Sequence, residues 1–333
     1  MLGTTLSPAR YRELTSDARR ASARWLELDP ASFRQSYNHE PFLVSHALAK
    51  HDAFQFDALR ALCRRLPQGT VCHRFGVVPI NTDFDKSLGS QFRKSLTLDD
   101  ALDAMEERQA YIAVNNPEND REYRPIIEGL LGELACCTDS LDPCISWYST
   151  YLFITARDSV TPYHMDREMN FLLQIRGTKT VRLWDPFDDD VMTPAQKDEL
   201  LSYAGEARPQ YHDGLASKAK LFELKPGLGV HHPYIAPHLV HTGPELSISL
   251  AITFRTRQSD VWRDAHRLNH SLRAWGMHPT PVRKSMLIDQ TKAKAVRAIR
   301  WTRSLLRNKQ MVRSGDPHDS PADELSGTGV IHK

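Results

Sequence analysis

No stretch of the chain holds the ~20 consecutive apolar residues that a membrane-spanning helix requires, so a membrane partner is not expected. The start, MLGTTLSPARYREL, sets no apolar segment behind a basic one, which argues against a secretion signal. Cysteine is sparse and odd in number: Cys63, Cys72, Cys136, Cys137 and Cys144 lack CxxC metal spacing and read as reduced thiols. Together these absences make the cytoplasm the expected compartment. No internal repeat is found, which excludes a repeat array. Acid is nearly missing from 283–313, where ten Lys/Arg face Asp289 alone. Since the whole chain carries a net charge of only +2, a basic segment is joined to a mildly acidic body.

What is present reads as a β-rich core between helical flanks. Residues 1–66 carry apolar residues at helical spacing and are expected to form an N-terminal helical region packed on a barrel, with Pro67 closing the last helix. The core is placed at 67–256. GTVCHRFGVVPI reads as a strand, LTLDDALDAMEERQ as a helix capped by Thr97, YIAVNN as a strand and REYRPIIEGLLGELACC as a helix. From Trp147 onward SWYSTYLFITA, NFLLQIRG, KTVRLWDP, AKLFELKPG and LSISLAITFRT are strand-like and bounded by Gly, Pro and Asp. Residues 170–184 read as a hairpin turning at Arg176-Gly177-Thr178.

In the last strand Ile248, Leu250, Ile252 and Phe254 face one way, and Ser247, Ser249, Ala251, Thr253 and Arg255 the other. A sheet with one apolar face and one small or polar face suits a wall that lines a pocket. Antiparallel strands without helical crossovers predict a sandwich or barrel. The long connection from Trp184 to Leu221 contains a short helix opening at Thr193-Pro194 and reads as either a lid or a solvated insertion. A basic C-terminal helical extension is expected at 257–313 and a disordered tail at 314–333.

One segment asks for chemistry: TPYHMDREMNFLLQIRGTK, Thr161 to Lys179. Two histidines and a carboxylate on one face of an octahedron hold Fe(II) and leave three positions open. His164 and Asp166, two apart, are able to share a face at a strand end. A third ligand would have to return from elsewhere, and His212, His231, His232, His238 and His241 are all candidates. His238 stands out in HHPYIAPHLVHTG, ahead of the polar-faced strand 247–255. Lys179, Thr161 and Asn170 offer a cation, a hydroxyl and an amide of the kind that fix the carboxylate end of 2-oxoglutarate.

The pattern TPxHxDxxxNFxxQIxGxK resembles the core of the Jumonji-C and cupin-like oxygenases, and within them the branch containing the asparaginyl hydroxylase of hypoxia-inducible factor. The likeness is tight over 161–184 and returns in PGLGVHHPYIAPH, where Pro233 precedes His238 by five. It implies a double-stranded β-helix (jelly-roll, cupin) barrel and an Fe(II)- and 2-oxoglutarate-dependent dioxygenase. Such an enzyme consumes O2, releases succinate and CO2, and hydroxylates an unactivated C–H of a peptide side chain or small molecule. By the same resemblance His164, Asp166 and His238 are the metal ligands. Lys179 and Thr161 bind the distal carboxylate of 2-oxoglutarate, Asn170 sits in the same pocket and Tyr111 donates to that carboxylate. The sequence departs from the family at Leu228, where an acid follows Pro-Gly, and at Ala236-Pro237, where an aromatic pair precedes the distal histidine.

Other readings compete. Arg255 is an alternative to Lys179 as the carboxylate's cation. A metal-dependent cupin that works without 2-oxoglutarate would keep the ligand set alone. A non-catalytic regulator would use the basic helix, where Arg297, Arg300, Arg303 and Arg307 recur opposite Ile288, Ala295, Ile299 and Leu306, to bind nucleic acid. The same helix can instead pack its apolar face on the barrel or a second subunit and leave the arginines in water, which is the favoured reading. Trp262, Trp275 and Trp301 offer apolar area for a homodimer through the C-terminal helices, the alternative being a monomer with those helices folded back.

Overall fold

The described residues include the strands β1 Thr4–Thr5, β2 Leu26–Glu27, β3 Leu43–His46, β4 Val71–Phe75, β5 Ala110–Asn115, β6 Ile145–Thr155, β7 Val160–Met165, β8 Met169–Arg176, β9 Lys179–Leu183, β10 Lys220–Leu224, β11 Leu228–His232, β12 Pro237–Thr242 and β13 Ser247–Thr256. The computed structural model describes residues 3–22, 24–67, 69–88, 97–202 and 209–314. The tail expected at 314–333 lies outside the described residues from 315 on, as do 203–208 of the long connection and the side chain of Arg307.

The strands form two antiparallel sheets, one ordered β2-β3-β11-β8-β13-β6-β5-β4 with β1 on β6, the other β10-β9-β12-β7. This is the jelly-roll, mainly β architecture that the sequence predicts. Leu172, Val230 and Ala251 of the large sheet meet Val181, Leu183, Leu224 and Val240 of the small one in a single buried cluster. Because alternate side chains share a face, that cluster defines the inner wall. On β13 it sets Ala251, with Ser249 and Thr253, inward, and leaves the wholly buried Ile248, Leu250, Ile252 and Phe254 on the opposite face.

Two expectations change here. The N-terminal 66 residues hold helices at Pro8–Arg20, Pro30–Ser36 and Phe56–Arg65, but they also supply β1, β2 and β3 to the large sheet. Strands of two to four residues are too short to show a period of two, so the helical signal hides them. Glu133 fastens this region by accepting the backbone N–H groups of Trp25 and Leu26, each at 2.8 Å. The segment 170–184, in turn, is not a hairpin. β8 pairs with β11 and β13, whereas β9 pairs with β10 and β12, so the turn at Gly177 carries the chain from one sheet to the other. A glycine turn between two apolar runs reads alike in both cases; which edges the strands pair with is a tertiary fact.

Gly177 is required at that corner. Its φ is +65°, and a Cβ there would stand 2.5 Å from the carbonyl oxygen of Leu246. Gly177→Ala should therefore lower unfolding stability by about 1–3 kcal/mol, the usual cost of a side chain in left-handed backbone. An unchanged midpoint in urea would refute the argument.

The described residues divide into two units: one within 3–193 and 209–257, which holds both sheets, and one of 194–202 and 258–314. The second is helical: Pro194–Ser202, Arg257–Ala274 at its junction, and Met286–Ser314. Buried carboxylates knit these helices. Asp198 accepts from His266 Nδ1 at 2.7 Å and from Arg273 Nε at 2.8 Å, while Asp264 accepts from Arg297 Nε at 3.1 Å and Arg300 at 2.6 Å. Two arginines of the basic stripe are thus committed to an internal acid. Among the described residues no helix is long and apolar enough to cross a membrane.

Candidate metal centre

β7 and β12 lie side by side with His238 opposite His164 and Val240 opposite Thr161, so two steps on β12 match three on β7. The extra residue is a bulge in β7, and a bulge resets the alternation of side chains. Thr161 and His164, three apart and destined for opposite faces of a regular strand, are thereby both turned to the inner wall. Pro162 sits in the bulge, where a residue with no N–H is tolerated. Its carbonyl accepts the Nδ1–H of His164 at 2.7 Å. The carbonyl of Ala236 does the same for His238, at 3.0 Å.

Both imidazoles thus have Nδ1 occupied by a carbonyl two residues back, which fixes the tautomer and directs the Nε2 lone pair at one another's surroundings. The rings stand 4.0 Å apart, centroid to centroid. Asp166 follows the last residue of β7, half-buried, and one ligand atom from each of His164, Asp166 and His238 lies within 4.8 Å of the other two. Burial, then the neighbouring His164, pushes His238 down to about 4, against the opposing pull of Asp166. It is held neutral, the form that ligates metal. Phe84 stacks on His164 with centroids 4.6 Å apart and the planes 12° from parallel. Two imidazoles, their Nδ1 atoms tied down, and a carboxylate converging on one region fit a divalent ion such as Fe(II).

A second polar group lies on the same wall. Lys179, 3 % exposed, donates to Ser249 Oγ at 2.6 Å. Its ammonium stands 5.7 Å from the ring centre of Phe153, the residue paired with Ser249 across β6 and β13. Burial alone pulls it down to about 7. Phe153 also meets Tyr111, whose hydroxyl is 3.0 Å from Thr161 Oγ1. Arg74 lies over the Tyr111 ring at 4.2 Å and donates to the carbonyls of Val160 and Gly76. Burial raises Tyr111, and the Arg74 charge opposes that rise. Asn170 is inward on β8, with its Oδ1 buried and, among the described residues, without a hydrogen-bond partner.

The structure therefore brings together His164, Asp166 and His238, and separately Lys179 and Tyr111 around Phe153, with Thr161 at the Tyr111 hydroxyl. It sets Arg255 elsewhere: its guanidinium lies 4.3 Å over the Trp147 ring and 3.8 Å from Glu168, six residues along β13 from Ser249. Among the other histidines, His212 is exposed, His241 faces Arg182 at 3.3 Å, and His231 is fully bonded, to Asn38 N–H and the Asn170 carbonyl. His238 lies ahead of β13 as expected, and is itself on a strand, β12, that the sequence does not announce because Pro237 stands at its first position. In the acidic stretch 185–190, Asp188 and Asp190 are paired with Lys218, at 2.7 Å and 2.6 Å.

Residues to which sequence reasoning assigned no individual role also line this wall. Ser249 was legible only as a member of the polar face of β13. Arg74, 1 % exposed, gives no signal, because an arginine in a short strand reads as solvent-facing. At the departures from the family pattern, Leu228 packs on the core cluster and Ala236 belongs to it, so neither leaves a polar gap.

A family model described as a cupin-like domain matches residues 12–280. Among solved structures, the chain is similar to the ribosomal oxygenase YcfD from Escherichia coli in complex with cobalt and 2-oxoglutarate, at 13% identity over 83% of this chain and 67% of that one, with a TM-score of 0.46. It is similar also to a crystal structure of Escherichia coli YcfD (13%, 83% and 68%, TM-score 0.42) and to its complex with cobalt and succinic acid (13%, 83% and 67%, TM-score 0.43). No curated protein matches the chain.

Proposed function

The chain belongs to the cupin-like domain family, and on that premise we propose that it is an Fe(II)- and 2-oxoglutarate-dependent oxygenase hydroxylating an unactivated C–H bond of a peptide side chain or small molecule. The observation that carries the reading is the convergence of His164, Asp166 and His238 on one point, with both histidines locked in the ligating tautomer. A cation held in reserve on the same wall speaks for 2-oxoglutarate over a cupin reaction that needs only the metal. Lys179 is buried and, among the described residues, has a hydroxyl and no carboxylate as its hydrogen-bond partner, an arrangement that a dicarboxylate would complete.

In this reading His164, Asp166 and His238 hold the iron, and Lys179 with Ser249 receives the distal carboxylate. Tyr111 and Thr161 direct hydroxyls at the same end. Arg74 keeps the Tyr111 ring in place, and Phe84 and Phe153 wall the site with apolar surface that excludes water. The bound iron supplies the oxidising chemistry, with succinate and CO2 as co-products.

Anaerobic titration of 2-oxoglutarate into the Fe(II)-loaded protein tests this directly. A weak visible charge-transfer band that saturates with added 2-oxoglutarate, followed by succinate formation on admitting air, is the expected result. A protein that binds iron tightly yet develops no band and releases no succinate is a metal-dependent cupin of another kind.

A further inference from the structure

His231 and His232 are neighbours at the end of β11, equally deep, and differ in one respect. His231 has both ring nitrogens engaged, Nε2 accepting from Asn38 N–H at 3.2 Å and Nδ1 facing the Asn170 carbonyl at 3.1 Å, and is packed by Tyr37, Phe42 and Phe171. His232, 3 % exposed, has no hydrogen-bond partner on either nitrogen among the described residues. A buried imidazole left so is costly, and an apolar side chain of its size would be the cheaper occupant.

Its position tells what it serves. His232 is two residues from Val230 and so shares the inner wall with it. Across the sheet it pairs with Asn170, whose Oδ1 is likewise buried and unpartnered, and Asn170 pairs in turn with Thr253. Its ring meets that of His238 edge-on, centroids 4.5 Å apart at 64°. Yet His232 is not in the group whose ligand atoms converge, which is His164, Asp166 and His238. It stands beside the metal position and outside the ligand set. A neutral imidazole there offers one N–H to an oxygen acceptor held at the metal.

We propose that His232 is a positioning residue of the centre, donating a ring N–H to the carboxylate with which 2-oxoglutarate attaches to the metal held by His164, Asp166 and His238. The inference rests on the oxygenase reading above. It assigns to β11 a contact that the ligand triad and the Lys179 end do not provide, and it gives one of the unsatisfied nitrogens of His232 a partner.

The test compares wild type with His232→Phe, which keeps the ring volume, and His232→Gln, which restores an N–H donor. Fe(II) affinity and 2-oxoglutarate affinity are measured separately under anaerobic conditions, together with the position of the charge-transfer band and the far-ultraviolet circular dichroism. His232→Phe should bind Fe(II) as wild type does, but 2-oxoglutarate roughly 10- to 100-fold more weakly, the effect of losing one hydrogen bond to a charged group. Its band should also shift, and His232→Gln should recover much of the affinity. Unchanged 2-oxoglutarate binding in a folded His232→Phe protein overturns the proposal, as does parallel loss of the iron, which would make His232 a fourth ligand. If wild type itself binds iron but not 2-oxoglutarate, the oxygenase reading fails first and takes this assignment with it.

Discussion

Asp166→Ala should fold as wild type does and lose Fe(II). Two imidazoles remain in this variant, but the only anionic ligand of the set is gone, and with it the charge that draws a divalent cation into a site where His164 and His238 are nearly buried. Loss of an outer-shell partner alone costs roughly 10- to 100-fold in metal affinity, so removal of a ligand should exceed that. Asp166 is the informative choice because it is half-buried at the end of β7, and truncating it opens no core cavity. His164→Ala or His238→Ala would also remove a packed ring, Phe84 losing its stacking partner in the first case and His232 its edge contact in the second. For those two, a fall in metal binding mixes with a fall in stability. Co(II) titration, followed by its visible absorption, with thermal unfolding of the metal-free protein alongside, separates the two effects. Wild-type affinity in Asp166→Ala would remove the carboxylate from the ligand set and with it the octahedral facial arrangement on which the oxygenase reading depends.

Much of this centre was legible in the sequence because its residues are close together there. His164, Asp166, Asn170 and Lys179 fall within 16 positions, and the polar face of β13 announces itself through strict alternation. What was hidden is hidden for physical reasons. The bulge in β7 breaks the period of two at Pro162, so the shared orientation of Thr161 and His164 follows from pairing with β12 and from no local pattern. β11 and β12 are obscured by Gly227, Gly229, Pro233 and Pro237, residues that read as loop but here serve a close approach and a corner. Gly229 is one such approach: a Cβ would meet the carbonyl oxygen of Leu172 at 2.8 Å. The helices that carry the basic charge were readable from their periodicity. That Arg297 and Arg300 spend their charge on Asp264 was not, since nothing in the sequence of either helix says which acid lies between them.

Lys179→Met should weaken 2-oxoglutarate binding by roughly a hundredfold or more, on the scale of about 3 kcal/mol for a charge-assisted contact made in a buried site. The same variant should erase a pH dependence. In the ligand-free protein, burial pulls the Lys179 ammonium from its usual 10.5 down to about 7. A carboxylate placed against it favours the charged form and raises the value again. Binding above pH 7 therefore takes up a proton, and 2-oxoglutarate affinity should fall as pH climbs beyond 7, approaching about tenfold per pH unit, while Lys179→Met stays flat. Stability without ligand runs the other way. Between about 7 and 10.5 the unfolded chain holds a proton on this lysine that the folded chain has released. The unfolded state binds more protons across that window, so the folded state gains stability as pH rises through it, and below pH 7 the folded protein bears the whole cost of a buried charge. Lys179→Met removes that cost. It should be at least as stable as wild type at pH 7, and the two unfolding curves should draw together as pH rises toward 10. A cation that destabilises the empty fold and tightens the loaded one is the trade-off characteristic of a binding residue. A structural lysine would show the reverse: Lys179→Met less stable at every pH, with 2-oxoglutarate affinity untouched.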